Sequence, residues 1–127
     1  MPPWIRDVLW AAAAVRGALG LAPFLAAGLL VRRLGFPPEH DNASARLMAR
    51  LFGVRDALLG VLAAWVIGHP ADLPFIALVQ AGADGGDLLS AAIPLARRQG
   101  IDRAAAMTAA FAGVGFAVWL AVWAAVH

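Results

Sequence analysis

Four long apolar runs are separated by short polar stretches rich in Pro, Gly and Arg. They extend over about Val8 to Val31, Leu47 to Ile67, Leu73 to Ala96 and Ala104 to Val126. Each approaches the roughly 20 residues that a helix needs to cross a bilayer. None shows the period-two alternation of a half-buried strand. A helix satisfies its own backbone hydrogen bonds in lipid. The pattern therefore predicts an all-α fold, an integral membrane four-helix up-down bundle, forming a single domain over residues 1–127.

Local signals place the ends of these helices. Pro2 and Pro3 precede the first, and Gly35, Pro37 and Pro38 follow it. Asn42 or Ser44 can cap the second, and His69 and Pro70 break it. Asp72 is expected to cap the third, with Pro74 tolerated in its first turn. Gly100 is expected to close the third, and Asp102 to cap the fourth. Pro23 and Pro94 lie inside runs, where the missing N–H and the ring should kink helices one and three. The first run exceeds the 7–15 apolar residues of a typical signal peptide and lacks a clear small-x-small cleavage site, so it reads as a retained helix.

Composition strengthens the membrane reading. Hydrophobic residues make up 62% of the 127 and charged residues 14%, with mean hydropathy +0.77. Soluble domains run near 45–50% and 25%, and a soluble fold of this size has too little interior for so much apolar surface. A net charge of +2 is too small to indicate nucleic acid. The absence of Cys excludes disulfides, thiolate metal sites and thiol catalysis.

All ten basic residues are Arg, and their placement predicts an orientation. Arg32, Arg33, Arg46 and Arg50 flank the first connection, and Arg97, Arg98 and Arg103 the third. Only Arg6 lies at the opposite end. Under the positive-inside rule both odd-numbered connections face the cytoplasm and both termini face out, in a multi-pass protein of the cytoplasmic (inner) membrane. Trp4, Trp10, Trp65, Trp119 and Trp123 then gather at the outer interface, where tryptophan rings suit the headgroup layer.

Five ionisable residues disturb the apolar runs: Arg16, Arg55, Asp56, Asp84 and Asp87. A charge at bilayer depth costs at least about 2.5–3.5 kcal/mol, so such groups face partners or water-filled cavities. At 1.5 Å rise per residue, the five fall within a layer about 10–12 Å thick shared by helices one, two and three. Gln80, Asp84 and Asp87 follow i, i+4, i+7 spacing and line one helix face. Arg55 and Asp56 point about 100° apart and should seek partners on other helices. The expected pairs are Arg55 with Asp84 or Asp87, and Arg16 with Asp56. One carboxyl is left over, and an unpaired buried carboxyl favours its protonated form. Glycines at 17, 20, 28, 53, 60, 82, 85, 86, 113 and 115 surround the layer and permit close helix approach. Ala109 and Gly113 form a small-xxx-small pair. Arg55, Asp56, Asp84, Asp87 and Gln80 are the candidate binding or proton-responsive residues, and Arg16 is the candidate structural ion-pair partner.

Other chemistry is poorly represented. His40, His69 and His127 are too dispersed for a helix-spaced metal pair, and Glu39-His40-Asp41 reads as a solvated turn. Asp84-Gly85-Gly86-Asp87 suggests the metal–phosphate motif of lipid-headgroup transferases. It is followed by Leu88 and Leu89 instead of the further Arg and Asp residues that motif needs. No serine triad is visible. No catalytic residue, metal or cofactor is expected.

The stretch Arg50-Leu51-Phe52-Gly53-Val54-Arg55-Asp56-Ala57-Leu58-Leu59-Gly60, with Ala83-Asp84-Gly85-Gly86-Asp87 one helix later, resembles an uncharacterised family of small four-helix bacterial membrane proteins, loosely DoxX-like. Their second helix carries Gly-x-Arg-Asp/Glu-x-x-x-Gly and their third carries aspartates. The resemblance covers nearly the whole chain and implies a four-helix bundle in the cytoplasmic membrane, without an established activity. Arg55, Asp56, Gly60, Asp84 and Asp87 match the pattern, and Arg16 has no counterpart. Small multidrug exporters differ: they need a glutamate where helix one has Arg16. Small fluoride channels differ in lacking these motifs and carrying others.

Three roles follow as alternatives. The first is a proton-responsive small transporter or accessory subunit of a membrane complex. The second is a membrane enzyme acting on a lipid or quinone-like substrate. The third is a purely structural interaction protein. The expected partners are the lipid bilayer and either further copies of the chain or a larger membrane complex, with no nucleic acid.

Overall fold

The computed structural model describes all residues, Met1–His127, and is entirely helical. Four helices, α1 (Pro3–Arg33), α2 (Ala43–Trp65), α3 (Leu73–Arg97) and α4 (Asp102–Val126), are joined by short connections. Two of these contain a single 3₁₀ turn, at Pro38–His40 and Pro70–Asp72. There is no strand.

Several ends match the local signals. Asn42 Oδ1 accepts from the Ala45 N–H at 2.9 Å and caps α2. Pro3 and Pro74 sit in the first turns of α1 and α3, where a missing N–H is harmless. Other signals are corrected. Asp72 makes no side-chain cap, because it is held in the 3₁₀ turn that leads into α3. Asp102 lies inside the first turn of α4 with Ile101 at the cap, so it acts by charge near the helix N-terminus instead. α3 ends at Arg98, which adopts left-handed φ 50°, with Gly100 following at φ 82°. α2 stops at Trp65, two residues short of the apolar run. Only α1 contains non-helical dihedrals, at Ala26, one turn beyond Pro23. Pro94 lies in the last turn of α3 and leaves the helical dihedrals intact.

The helices pair into two hairpins, α1 with α2 and α3 with α4, and the hairpin backbones scarcely touch each other. The hairpins share landmarks 65 positions apart: Gly17 and Gly82, Gly20 and Gly85, Arg32-Arg33 and Arg97-Arg98, Gly35 and Gly100. Gly35 (φ 89°) and Gly100 (φ 82°) both turn the chain through left-handed backbone, where glycine carries no steric penalty. Both second helices end in Trp-x-x-x-His. His69 Nδ1 contacts the Trp65 carbonyl and His127 Nδ1 the Trp123 carbonyl, each at 3.0 Å. The rings stack at 3.9 and 3.7 Å.

Glycine closes the first hairpin. A Cβ on Gly20 would come within 2.7 Å of the Ala57 backbone nitrogen, and one on Gly53 within 2.6 Å of the Gly20 carbonyl. Neither backbone can yield, so the two helices approach only because both residues lack a side chain. In the second hairpin glycines face side chains instead of backbone: a Cβ on Gly85 meets the Phe116 ring at 3.2 Å, one on Gly115 meets the Asp84 carboxylate, and one on Gly82 or Gly86 meets nothing.

The apolar core sits at the end that holds both chain termini. Ile5, Leu9, Ala63, Val66, Leu73, Ile76, Trp119 and Val122 meet there. Trp119 is therefore a core residue, in contrast to the interfacial position expected of it, whereas Trp4, Trp10 and Trp65 are exposed. Elsewhere the usual arrangement is inverted. Leu25 is 85% exposed, Leu89 71% and Phe75 69%, while Asp56 is 1% exposed and Gln80 is fully buried. α1 and α4 are long and apolar enough to cross a membrane, and α2 and α3 are set apart by the charges they carry.

Candidate binding site

The five interior charges form one chain of contacts. Arg16, on α1, divides its guanidinium between two helices: Nη1 donates to Asp56 Oδ1 on α2 at 3.0 Å, and Nη2 to Asp84 Oδ2 on α3 at 2.8 Å. Arg55, on α2, forms a two-pronged pair with Asp87 on α3, at 2.9 and 2.6 Å. Its Nη2 also stands 4.0 Å from Asp56 Oδ1, linking the two groups. The order is Asp87, Arg55, Asp56, Arg16, Asp84. Charge-assisted bonds of this kind are shorter and stronger than neutral ones, and the planar guanidinium suits two-pronged carboxylate binding.

Local structure explains who meets whom. Asp84 and Asp87 lie three residues apart on α3 and share a face. Asp87 reaches Arg55, and Asp84 reaches across to Arg16. The expected pairs Arg16–Asp56 and Arg55–Asp87 are both present. The carboxyl expected to be left over is not isolated: Asp84 shares the Arg16 guanidinium with Asp56. Arg16, the candidate ion-pair partner, is thus the hub of the layer. Gln80, on the same α3 face, stays apart from the charges and donates through Nε2 to the Leu59 carbonyl of α2 at 2.7 Å. Its Oε1 is buried without a partner.

Removing one member of such a network is costly. A buried charge that loses its partner destabilises by about 3–5 kcal/mol, while the intact pair is close to neutral against a well-packed apolar replacement. The network therefore fixes how the two hairpins sit against each other more than it stabilises them.

A half-open cleft of about 1110 Å³ lies between the hairpins and reaches all four helices. Arg16, Asp56, Asp84 and Asp87 form its polar floor, and most of its remaining lining is apolar. Its lining is exposed at Val15 of α1, at Phe111 and Val114 of α4, and at Met48 and Phe52 of α2, so it opens sideways onto the apolar surface of the bundle. Its far end, near the α1–α2 and α3–α4 connections, is marked by His40, Asn42 and Gln99.

Sequence reasoning missed Phe52 and, among the α4 glycines it named, did not tell which one meets the charges. Gly115, not Gly113, is the close-approach glycine of α4: a Cβ there would collide with the Asp84 carboxylate, whereas one on Gly113 meets only Leu88 at 4.0 Å. The Ala109–Gly113 small-xxx-small spacing does not mark the glycine that meets the charges. Phe52 lies one turn before Arg55, and the guanidinium stands 5.0 Å from its ring centroid. An aromatic at i−3 from an Arg inside an apolar run was the available signal.

Outside the apolar segments, Arg46 donates to both oxygens of Asp41, at 2.8 and 3.1 Å, and closes the first connection. The Arg46 guanidinium holds the Asp41 carboxyl below the usual carboxylate range. It also packs against Gly28, where a Cβ would come within 2.8 Å of Nη2. No group of His, Asp and Glu residues is arranged to hold a metal ion. No protein-family model, curated protein or solved structure matches the chain.

Proposed function

We propose that the chain is a four-span protein of the cytoplasmic membrane, with both termini outside, acting as a proton-responsive small transporter. The observation that carries this reading is the Asp56–Arg16–Asp84 unit on the floor of an otherwise apolar cleft. When fully ionised, this unit carries two negative charges against one positive. Arg55 and Asp87 neutralise each other beside it, so the layer as a whole is one proton short of neutrality.

The membrane part rests on the inverted surface. Large apolar side chains face outward all round the bundle and charges face inward, as lipid solvation requires. The arginines at the ends of α1 and α3 and the starts of α2 and α4 lie at the end opposite the termini, which supports a cytoplasmic location for that end. A layer of balanced charges alone would serve as structural glue, but a cleft that exposes a net-negative unit is suited to exchanging a proton.

The test is proton flux in liposomes. Protein reconstituted with an entrapped pH dye should dissipate an imposed pH gradient, and Asp84→Asn should abolish that flux while Gly82→Ala retains it. Equal flux in wild type and Asp84→Asn would overturn the reading. A reporter fusion placing the C-terminus in the cytoplasm would overturn the orientation.

A further inference from the structure

We propose that the cleft takes a lipophilic organic cation, admitted sideways from the apolar surface of the bundle, whose charge replaces one proton at the Asp56–Arg16–Asp84 unit. The inference rests on the transporter reading and names its substrate class.

The shape and chemistry of the cleft carry the argument. Small-molecule sites are concave, mostly apolar and furnished with a few convergent polar groups, in volumes of about 300–1,000 Å³. At about 1110 Å³ this cleft suits one drug-sized molecule. Every charge lining it belongs to the network: Arg16 from α1, Asp56 from α2, and Asp84 and Asp87 from α3, with Arg55 behind Asp87. α4 contributes no charge, facing the cleft through Thr108, Ala112 and Gly115 among others, and His40 stands at the far mouth. Both arginines are engaged by carboxylates, so an anionic headgroup finds no free cation. Asp56 and Asp84 each give one oxygen to Arg16, and the second oxygen of each has no protein donor. That leaves acceptor capacity and negative charge, which together select a cation or a proton.

Aromatic faces favour the same charge. Phe36, Phe52, Phe111 and Trp119 line the cleft, and Phe52 already stacks under the Arg55 guanidinium. Aromatic rings attract cations through their negative faces. The open edges, where Val15, Val114 and Met48 are exposed, lie on the apolar surface that would face lipid. A molecule that partitions into a bilayer reaches them without crossing the polar mouth.

The exchange balances as follows. At rest the Asp56–Arg16–Asp84 unit holds one proton, and Asp84 is the carboxyl through which it is exchanged. Asp84 is less deeply enclosed than Asp56 and lies against Gly115, on the α4 side of the cleft. The incoming cation takes up the negative charge of the carboxylate as the proton leaves to solvent, so one positive charge replaces another and no bond other than O–H breaks.

The experiment is binding of tetraphenylphosphonium to the purified full-length protein in detergent, by calorimetry in weak buffer with a pH indicator. One proton should leave per cation bound, and affinity should rise about tenfold per pH unit until the carboxyl is ionised. Tetraphenylborate, of the same shape and opposite charge, should bind at least about tenfold more weakly. Asp84→Asn should lose proton release, and Asp84→Glu should retain it. Equal affinity for the two ions, or affinity independent of pH with no proton released, would overturn the proposal on wild-type protein alone. Proton flux without phosphonium binding would overturn this inference and leave the transporter reading standing. Phosphonium binding with proton release but no flux would do the reverse.

Discussion

The two hairpins share a scaffold and differ in chemistry. Each ends its first helix in Arg-Arg-x-Gly with a left-handed glycine, and its second in a stacked Trp-x-x-x-His. Yet the first hairpin supplies Arg16, Arg55 and Asp56, and the second supplies Asp84 and Asp87. The positions equivalent to Arg16, Asp84 and Asp87 at the 65-residue offset are Ala81, Leu19 and Ala22. In the first hairpin backbone touches backbone across glycines; in the second, glycines lie against side chains, the Phe116 ring and the Asp84 carboxylate. The seam between hairpins is held by charged side chains. Close backbone packing builds a rigid hairpin but offers little room for a ligand. Long charged side chains hold two hairpins in register while leaving space between them.

Breaking the charged seam should have the largest effect. Arg16→Met leaves Asp56 and Asp84 facing each other without their shared cation, and should cost about 3–5 kcal/mol in unfolding monitored by helical circular dichroism in detergent. Restoring balance with Asp56→Leu and Asp84→Leu in the same chain should recover much of that loss. The equivalent glycines come next. Gly20→Ala drives a methyl into the α2 backbone and should cost about 1–3 kcal/mol. Gly85→Ala meets a Phe116 ring that can turn aside, and should cost less than half as much. Equal costs would show that the hairpins are equally tight.

Gly17→Ala and Gly82→Ala form a gentler test of the same repeat. Neither added methyl meets an atom within 4 Å, so each should stabilise its helix by about 0.5–1 kcal/mol. The smallest effect belongs to the Asp41–Arg46 pair, which has no counterpart in the second hairpin. Because the Asp41 carboxyl is held below its ordinary range in the folded chain, its contribution is present above about pH 4 and lost as the pH falls through the folded value. Asp41→Asn should therefore narrow the difference in melting temperature between neutral and acidic solution, and a change of opposite sign would exclude the pair as the cause.

Much of this molecule could be read before its structure. Four helices, their approximate limits, the Asn42 cap and the break near Pro23 follow from hydropathy and local backbone chemistry, because these depend on neighbours within a few residues. The shared layer also follows, since a 1.5 Å rise converts sequence position into depth. Sequence position did not reveal that Arg16 is the hub. That depends on a long guanidinium reaching two other helices at once, which only the rotation of each helix about its axis decides. The same reason hid Gly115 behind Gly113: both are small, and only the facing of α4 sets one against Asp84. Trp119 shows the limit from the other direction, as its depth places it among the other tryptophans but its facing turns it into the core. By itself the sequence determined the elements and the charges they carry. The tertiary structure decided the pairings, the glycine contacts and the cleft, because each of these is set by helix rotation and interhelix distance, which no local pattern records.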